Sequence, residues 1–500
     1  MKNKKKQKLP TEESTTVKKE ERNPLYRFKI SKNSINREIM FFASVFLFVF
    51  AAFIGYFVWF QTTQSDTVVN NPYNKRIEAM TEHITRGRIL SKDGTVLAET
   101  IVKEDGQEKR YYPYGEALTH VTGYVDEGKT SMESFANFYL LRSHQNPITK
   151  FLNNLFGDKN KGDDVVTTID LDLQLAVYEA MAGRKGAAVV LRASTGEILT
   201  MVSNPAYDPN IIEDQWEDLI AETNKEANLL NRATQGLYPP GSTFKLITLL
   251  AFVRQYPDTW QDFTYDCTGV NKGDGYTMRC YGSTAHGHLS LEEALVTSCN
   301  GAFAAIGQML DREQFTNTCQ SLGFGQKLPL PLQNKASRFI LEQDLTSWAV
   351  AQTAIGQGKT LITPMLSAMI TAAIANDGVM MQPYILECVT AGDKVIEQYE
   401  AVALGNVMTE EESAIIKRMM RSVVTDGTTV SLQTDLYEAY GKTGTAEYIT
   451  GSDAAHAWFT GFAGEGDDRI AISVVLEGAG TGSQQAAPVA AAVFEKYFLR

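Results

Sequence analysis

Twenty-one consecutive residues without a charge, Met40 to Phe60 (MFFASVFLFVFAAFIGYFVWF), constrain this 500-residue chain more than any other feature. As a helix at about 1.5 Å per residue the stretch is roughly 30 Å long, the thickness of a bilayer's hydrocarbon core. Trp59 and Phe60 close it, where aromatic rings favour the interface. A cleaved signal peptide has a shorter apolar region and a small-residue cleavage site, and none follows Phe60. A buried core helix shows a polar face, and this stretch has none. The reading is a single membrane anchor. Charge gives it a direction: residues 1–39 carry 12 Lys/Arg against 5 Asp/Glu, a net of +7, which leaves −19 for the rest of a chain totalling −12. The basic run Lys2, Lys4, Lys5, Lys6, Lys8 and the pair Lys18, Lys19 keep the N-terminus in the cytoplasm and place 440 residues outside the cell.

An ectodomain this acidic is a poor nucleic-acid binder, because phosphate binding wants a basic face. The balance of 44% hydrophobic to 21% charged residues excludes wholesale disorder, and five cysteines cannot form a disulfide scaffold. After the tail (1–39) and anchor (40–60), residues 61–160 read as a small mixed module. It has a short stalk at 61–75 and a hairpin turn at Asp93-Gly94 within Arg86 to Glu99. A β-like or loop segment from Tyr111 to Tyr124 and a helical stretch over 131–155 complete it. From 161 to 500 the pattern is that of one larger domain. Asp164 to Ile169 is extended and Leu171 to Met181 has helical spacing. Ala188 to Leu191 and Glu197 to Met201 flank the turn Ser194-Thr195-Gly196. Tyr437 to Tyr448, Ala457 to Ala463 and Ile470 to Leu476 add three strands, with Gly466-Asp467-Asp468 between the last two, and a helix from Pro488 to Phe498 closes the chain. The middle, 210–430, reads as mostly helical. Five strands from the two ends of one domain with helices between them predict an α+β fold, one antiparallel five-stranded sheet covered by helices with a helical subdomain.

Three short patterns carry chemistry. Ser242-Thr-Phe-Lys245 follows Tyr238-Pro239-Pro240-Gly241 and opens the apolar run FKLITLLAFV, a buried helix. Ser242 falls in the first turn, where backbone N–H groups lack helical partners, and Lys245 lies three residues on along the same face. A base within reach and backbone donors ready for an oxyanion are what activate a serine; the plainer alternative is an N-cap and a snorkelling lysine. Ser298-Cys299-Asn300 ends a helix that starts with the capping box Ser290-x-x-Glu293, with Gly301 as the break; a turn satisfied by Ser298 and Asn300 is the alternative. Lys442-Thr443-Gly444-Thr445 sits in a strand. Two hydroxyls and a cation suit a carboxylate, and Gly444 lets a ligand backbone approach; otherwise this is an edge strand protected by lysine.

In this order, 56 and 144 residues apart in one extracellular domain, the three patterns resemble the S-x-x-K, S-x-N, K-T-G set of the penicillin-recognising serine enzymes, and specifically class B penicillin-binding proteins. The resemblance extends from Arg86 to the C-terminus through NRATQGLYPPGSTFK (231–245), GDDVVTTIDLDLQ (162–174), TGEILTMVSNPAYDPN (195–210), AIGQGKTLITP (354–364), IANDGVMMQP (374–383) and HAWFTGFA (456–463). Ser91-Lys92 depart from the family's usual Asp-Arg pair at the start of the pedestal. The resemblance implies a monofunctional D,D-transpeptidase that cross-links peptidoglycan stem peptides ending in D-Ala-D-Ala and is trapped by β-lactams. It implies Ser242 as nucleophile, Lys245 as base, Ser298 and Lys442 as proton relay, Asn300, Thr443, Gly444 and Thr445 as substrate-binding residues, and the backbone N–H groups of Ser242 and Thr445 as oxyanion hole. A multispanning glycan polymerase is the implied partner. A D,D-carboxypeptidase, a β-lactamase and a β-lactam sensor are the rival readings. No cofactor or metal is expected: there is no HExxH, and His286 and His288 flank one glycine without an evident third ligand. Cys267 and Cys280, 13 positions apart, are either a disulfide or two separately buried thiols; Cys299, Cys319 and Cys388 read as small core residues.

Overall fold

Helix α1, Lys32–Thr63, contains the apolar segment; Asn36–Phe60 is long and apolar enough to cross a membrane, and its apolar side chains are exposed. The computed structural model describes residues 32–63, 83–104, 106–273, 275–447 and 455–499. The basic residues Lys2 to Lys19, the stalk beyond Thr63, and Tyr448 lie outside the described residues.

In the second unit, Val69–Arg500, the short strand Ile84–Thr85, paired with Asn160–Lys161, precedes β1 (Ile89–Leu90), β2 (Val96–Val102), β3 (Glu108–Tyr111) and β4 (Asp164–Thr167), and α2 (Leu171–Met181), β5 (Gly186–Arg192) and β6 (Ile198–Asn204) follow. A helical stretch follows with α3 (Lys245–Gln255), α4 (Leu291–Val296), α5 (Asn300–Met309) and α6 (Pro364–Ala375). The chain ends with β7 (Leu386–Ala391), β8 (Lys394–Gln398), α7 (Glu410–Asp426), β9 (Ala439–Glu447), β10 (Ala455–Ala463), β11 (Ile470–Leu476) and α8 (Ala487–Phe498). One sheet is the expected one: five antiparallel strands in the order β9-β10-β11-β5-β6. Alternation explains its apolar runs. Ala187, Val189, Leu191, Trp458, Phe462 and Val475 face one core with α6, all twelve of whose residues are buried. Ala188, Val190, Phe459 and Val474 face the other with α2 and α8. A strand covered on both faces has no polar side to display, hence GAAVVL and IAISVVL.

A second sheet, of six shorter strands in the order β8-β7-β4-β1-β2-β3, joins distant parts of the chain. β1 and β2 form the hairpin around Gly94, β1 runs parallel to β4 (Ile89 opposite Val165), and β4 is antiparallel to β7 (Val165 opposite Val389). Several expectations need correction here. The Tyr111–Tyr124 segment is strand only to Tyr111 and then holds the short helix Thr119–Thr122. The helical stretch over 131–155 is three pieces, Ser131–Phe135, Asn137–Leu140 and Pro147–Phe156. The middle is not only helical: Thr264–Cys267 pairs with Gly287–Ser290, Val270–Gly273 with Tyr276–Arg279, and Val379–Met381 with Ala403–Asn406.

Candidate active site

Tyr238-Pro239-Pro240 stops the preceding chain, and the turn Gly241–Phe244 leads directly into α3. The turn is pinned from several sides. Trp458 Nε1 on β10 donates to Pro239 O at 3.0 Å, the Gly241 N–H donates to Gly356 O at 2.9 Å, and Tyr238 exchanges backbone bonds with Ile362. Gly241 adopts φ +55°, and a Cβ there would lie 2.8 Å from Thr445 O on β9, so a side chain would push the turn off the strand. Ser242 thus stands half-buried beside the edge strand of the sheet.

From this turn Lys245 enters the core with no exposed surface. Its Nζ donates to Ser298 O at 2.7 Å, to Asn300 Oδ1 at 2.8 Å and to Ser298 Oγ at 3.2 Å, and lies 5.5 Å from the Phe303 ring centre. Lys442, also without exposed surface, comes from β9 and donates to Ser298 Oγ at 2.9 Å and to Thr443 O at 3.0 Å. Two buried ammonium groups converge on one hydroxyl. Burial pushes Lys245 down to about 7, with Cys299 and Cys280 opposing. Burial, and then the neighbouring Lys245, hold Lys442 well below the ordinary lysine value. Among the described residues no side chain hydrogen-bonds the Ser242 hydroxyl; the Lys245 amine is engaged by the Ser298 loop.

That loop differs from its expected form. Helix α4 has the capping box at Ser290 and Glu293 but ends at Val296, and Gly301 is no break: it lies inside α5. The chain reverses at Ser298 itself, φ +53°, and Cys299 caps α5 through Ala302 N–H. Asn300, the first residue of α5, donates from Nδ2 to Arg279 O at 3.0 Å while its Oδ1 holds Lys245. On β9, a Cβ on Gly444 would point at Pro240 O (2.9 Å), Thr243 Cγ2 and Trp458 Cβ (3.1 Å each), so the space it spares is filled by the serine turn rather than kept for a ligand. Thr443 Oγ1 shares a hydrogen bond with Thr428 Oγ1 (2.8 Å), and Thr445 Oγ1 accepts from Gly482 N–H at 3.5 Å. Thr428, Arg279 and Trp458 were not recognised as site residues from sequence. Thr428 and Arg279 lie in no motif, and Trp458 sits in a quoted stretch with no chemistry of its own.

Of the two alternatives for Cys267 and Cys280, the structure has buried thiols and no disulfide, but the two are not separate. Cys267 and Cys280 are free thiols 3.7 Å apart; Cys299 is 3.7 Å from Cys280, and His286 Nδ1 is 3.3 Å from Cys267 Sγ.

A serine at the mouth of a buried helix, with desolvated lysines behind it and an edge strand alongside, defines a serine acyl-transfer enzyme of the penicillin-recognising kind. The penicillin binding protein transpeptidase domain model matches residues 186–495, and the penicillin binding protein A dimerisation domain model matches residues 86–165. The chain belongs to the penicillin-binding protein transpeptidase family. It is 30% identical over 465 residues to peptidoglycan D,D-transpeptidase PbpA of Mycolicibacterium smegmatis, covering 86% of this chain and 92% of that one. It is 28% identical over 459 residues to peptidoglycan D,D-transpeptidase MrdA of Acinetobacter baumannii, covering 80% and 67%. Among solved structures it resembles the penicillin G acyl-enzyme complex of penicillin-binding protein A from M. tuberculosis, with a TM-score of 0.73, 29% identity, and 82% of this chain and 99% of that one covered.

Proposed function

We propose that this protein is a peptidoglycan D,D-transpeptidase that works through a serine acyl-enzyme and is inhibited covalently by β-lactams. The observation that carries the reading is the convergence of Lys245 and Lys442 on Ser298 Oγ behind the Ser242 turn. Ser242 Oγ attacks the carbonyl of the penultimate D-alanine. Lys245, whose amine loses its proton near pH 7, accepts the hydroxyl proton. The C–N bond to the terminal D-alanine breaks, and the leaving amine takes its proton through Ser298, which Lys442 holds in place. An amine of a second stem peptide then attacks the ester, and the Ser242 hydroxyl is regenerated. Backbone N–H groups of Ser242 and Thr445 hold the oxyanion, Asn300 the donor amide, and Thr443 and Thr445 the terminal carboxylate, with Gly444 keeping the strand against the turn.

Helix α1 anchors the enzyme with its N-terminus in the cytoplasm and residues 61–160 and 161–500 outside. Ser44, Ala51, Ala52 and Gly55 lie near one face of α1, where small side chains permit close helix–helix approach to a multispanning glycan polymerase. Incubating the protein with a D-Ala-D-Ala donor peptide, with and without an amine acceptor, tests the reaction. A cross-linked product by mass supports transpeptidation. Exclusive release of the hydrolysed donor in both arms makes the enzyme a carboxypeptidase, and an acyl-enzyme that never turns over makes it a sensor.

A further inference from the structure

Cys267, Cys280, His286 and Cys299 bring their ligand atoms within 4.8 Å of one another. The four come from separate pieces of chain. Cys267 ends the strand Thr264–Cys267, Cys280 follows the strand Tyr276–Arg279, His286 precedes the strand Gly287–Ser290, and Cys299 caps α5. We propose that these residues form a tetrahedral Cys3His site for a structural divalent zinc ion, and that the ion fixes the Ser298–Asn300 loop.

The distances discriminate between the uses of three cysteines. Zinc bound at about 2.3 Å to sulfur and about 2.0–2.1 Å to imidazole nitrogen in tetrahedral geometry places sulfurs about 3.8 Å apart and sulfur and nitrogen about 3.5 Å apart. Cys280 Sγ lies 3.7 Å from both Cys267 Sγ and Cys299 Sγ, Cys267 Sγ lies 3.3 Å from His286 Nδ1, and the remaining pairs lie within 4.8 Å. A disulfide would need sulfurs about 2.0 Å apart and would strand the third thiol. Cys280 is close to both other sulfurs, so no one pair is singled out, whereas a metal uses all four groups.

The surroundings supply backbone donors to the sulfurs. Gly269 N–H donates to Cys267 Sγ and Ala302 N–H to Cys299 Sγ, each at 3.4 Å. Backbone donors of this kind stabilise metal-bound sulfur. Three thiolates and one neutral imidazole around a dication leave a single negative charge, set against the buried Lys245 side of the site. Binding displaces thiol protons and changes no oxidation state. Cys299 is flanked by Ser298 and Asn300, the two residues that hold Lys245, so a ligand bond at Cys299 fixes both. The segment 264–290, whose paired strands are half exposed, gains an anchor that a thin core does not supply. The proposal stands whether or not the acyl acceptor is an amine.

The test uses the full-length protein purified in detergent without chelator, under reducing conditions, with zinc in the growth medium. One zinc per chain is expected in the wild type and in Cys388→Ser, a cysteine outside the cluster, and under about 0.1 in Cys280→Ser. Should Cys280→Ser fail to fold, His286→Ala, at a partly exposed position, serves instead. Its zinc affinity is expected to fall by more than the roughly 10–100-fold that loss of an outer-shell partner causes. Cobalt exchanged into the wild type should show a thiolate charge-transfer band, absent after chelation, and chelation should lower the melting temperature. Substoichiometric metal without a cobalt band, or full metal retention by His286→Ala, would overturn the assignment.

Discussion

Burying a lysine ammonium without a carboxylate partner is costly, and this molecule does it twice within reach of one hydroxyl. The expense makes sense for Lys245 if the neutral amine is the working form. With its proton lost near pH 7, the neutral fraction rises about tenfold between pH 6 and pH 8. The second-order rate of acylation by a β-lactam should climb by about that factor and then level off; a flat profile would remove Lys245 as base. Lys442 faces Ser298 rather than open space, so its loss should slow a carboxylate-bearing β-lactam and a neutral ester analogue alike. Kinetics of Lys442→Ala with both ligands checks this, and a loss confined to the carboxylate-bearing one would make Lys442 a carboxylate clamp. Ser242, Lys245, Ser298 and Lys442 were legible because their spacing forms a set. The left-handed backbone at Ser298 and the grouping of Cys299 with His286 were not, since each depends on contacts between segments that no spacing encodes.

The serine turn and strand β9 touch through two glycines. Gly241 has a positive φ and no room beyond its Cα, and Gly444 abuts Pro240 O. Gly444→Ala should separate strand from turn by a few tenths of an ångström. Acylation should fall by at least about 10-fold, because small misplacements of reacting groups are expensive in rate, while the far-UV circular dichroism stays unchanged. An unaltered acylation rate would mean that the contact does not position the serine. The strands of the five-stranded sheet could be read from sequence because burial on both faces writes continuous apolar runs. The strands within 264–290 could not: they are short, half exposed and without a two-residue period. Strand β7 was also missed, because its partner β4 lies more than 200 residues earlier and nothing local announces the pairing.

Across the whole molecule, a buried charge ties the helix Ser131–Phe135 to the six-stranded sheet through Arg110. Glu133 has no exposed side-chain surface and pairs with Arg86 at 2.6 Å and Arg110 at 2.7 Å. Burial alone would raise its pKa, but the two guanidiniums overcome this and hold it below the ordinary 4.5. Its stabilising contribution is therefore present above the unfolded-state value and is lost as pH falls through the lower folded value. Glu133→Gln leaves two buried cations short of a partner and should destabilise this part by about 3–5 kcal/mol. Thermal unfolding of the variant should begin at lower temperature while penicillin labelling at 25 °C persists; an unshifted transition would show the pairs to be dispensable. The central claim, that Ser242 takes the acyl group, is tested most directly by the intact mass of the full-length protein after incubation with penicillin G. The wild type should gain one penicilloyl group per chain, located on the peptide containing Ser242, and Ser242→Ala should gain none while melting at the wild-type temperature. A folded Ser242→Ala that still gains the full adduct would contradict the assignment.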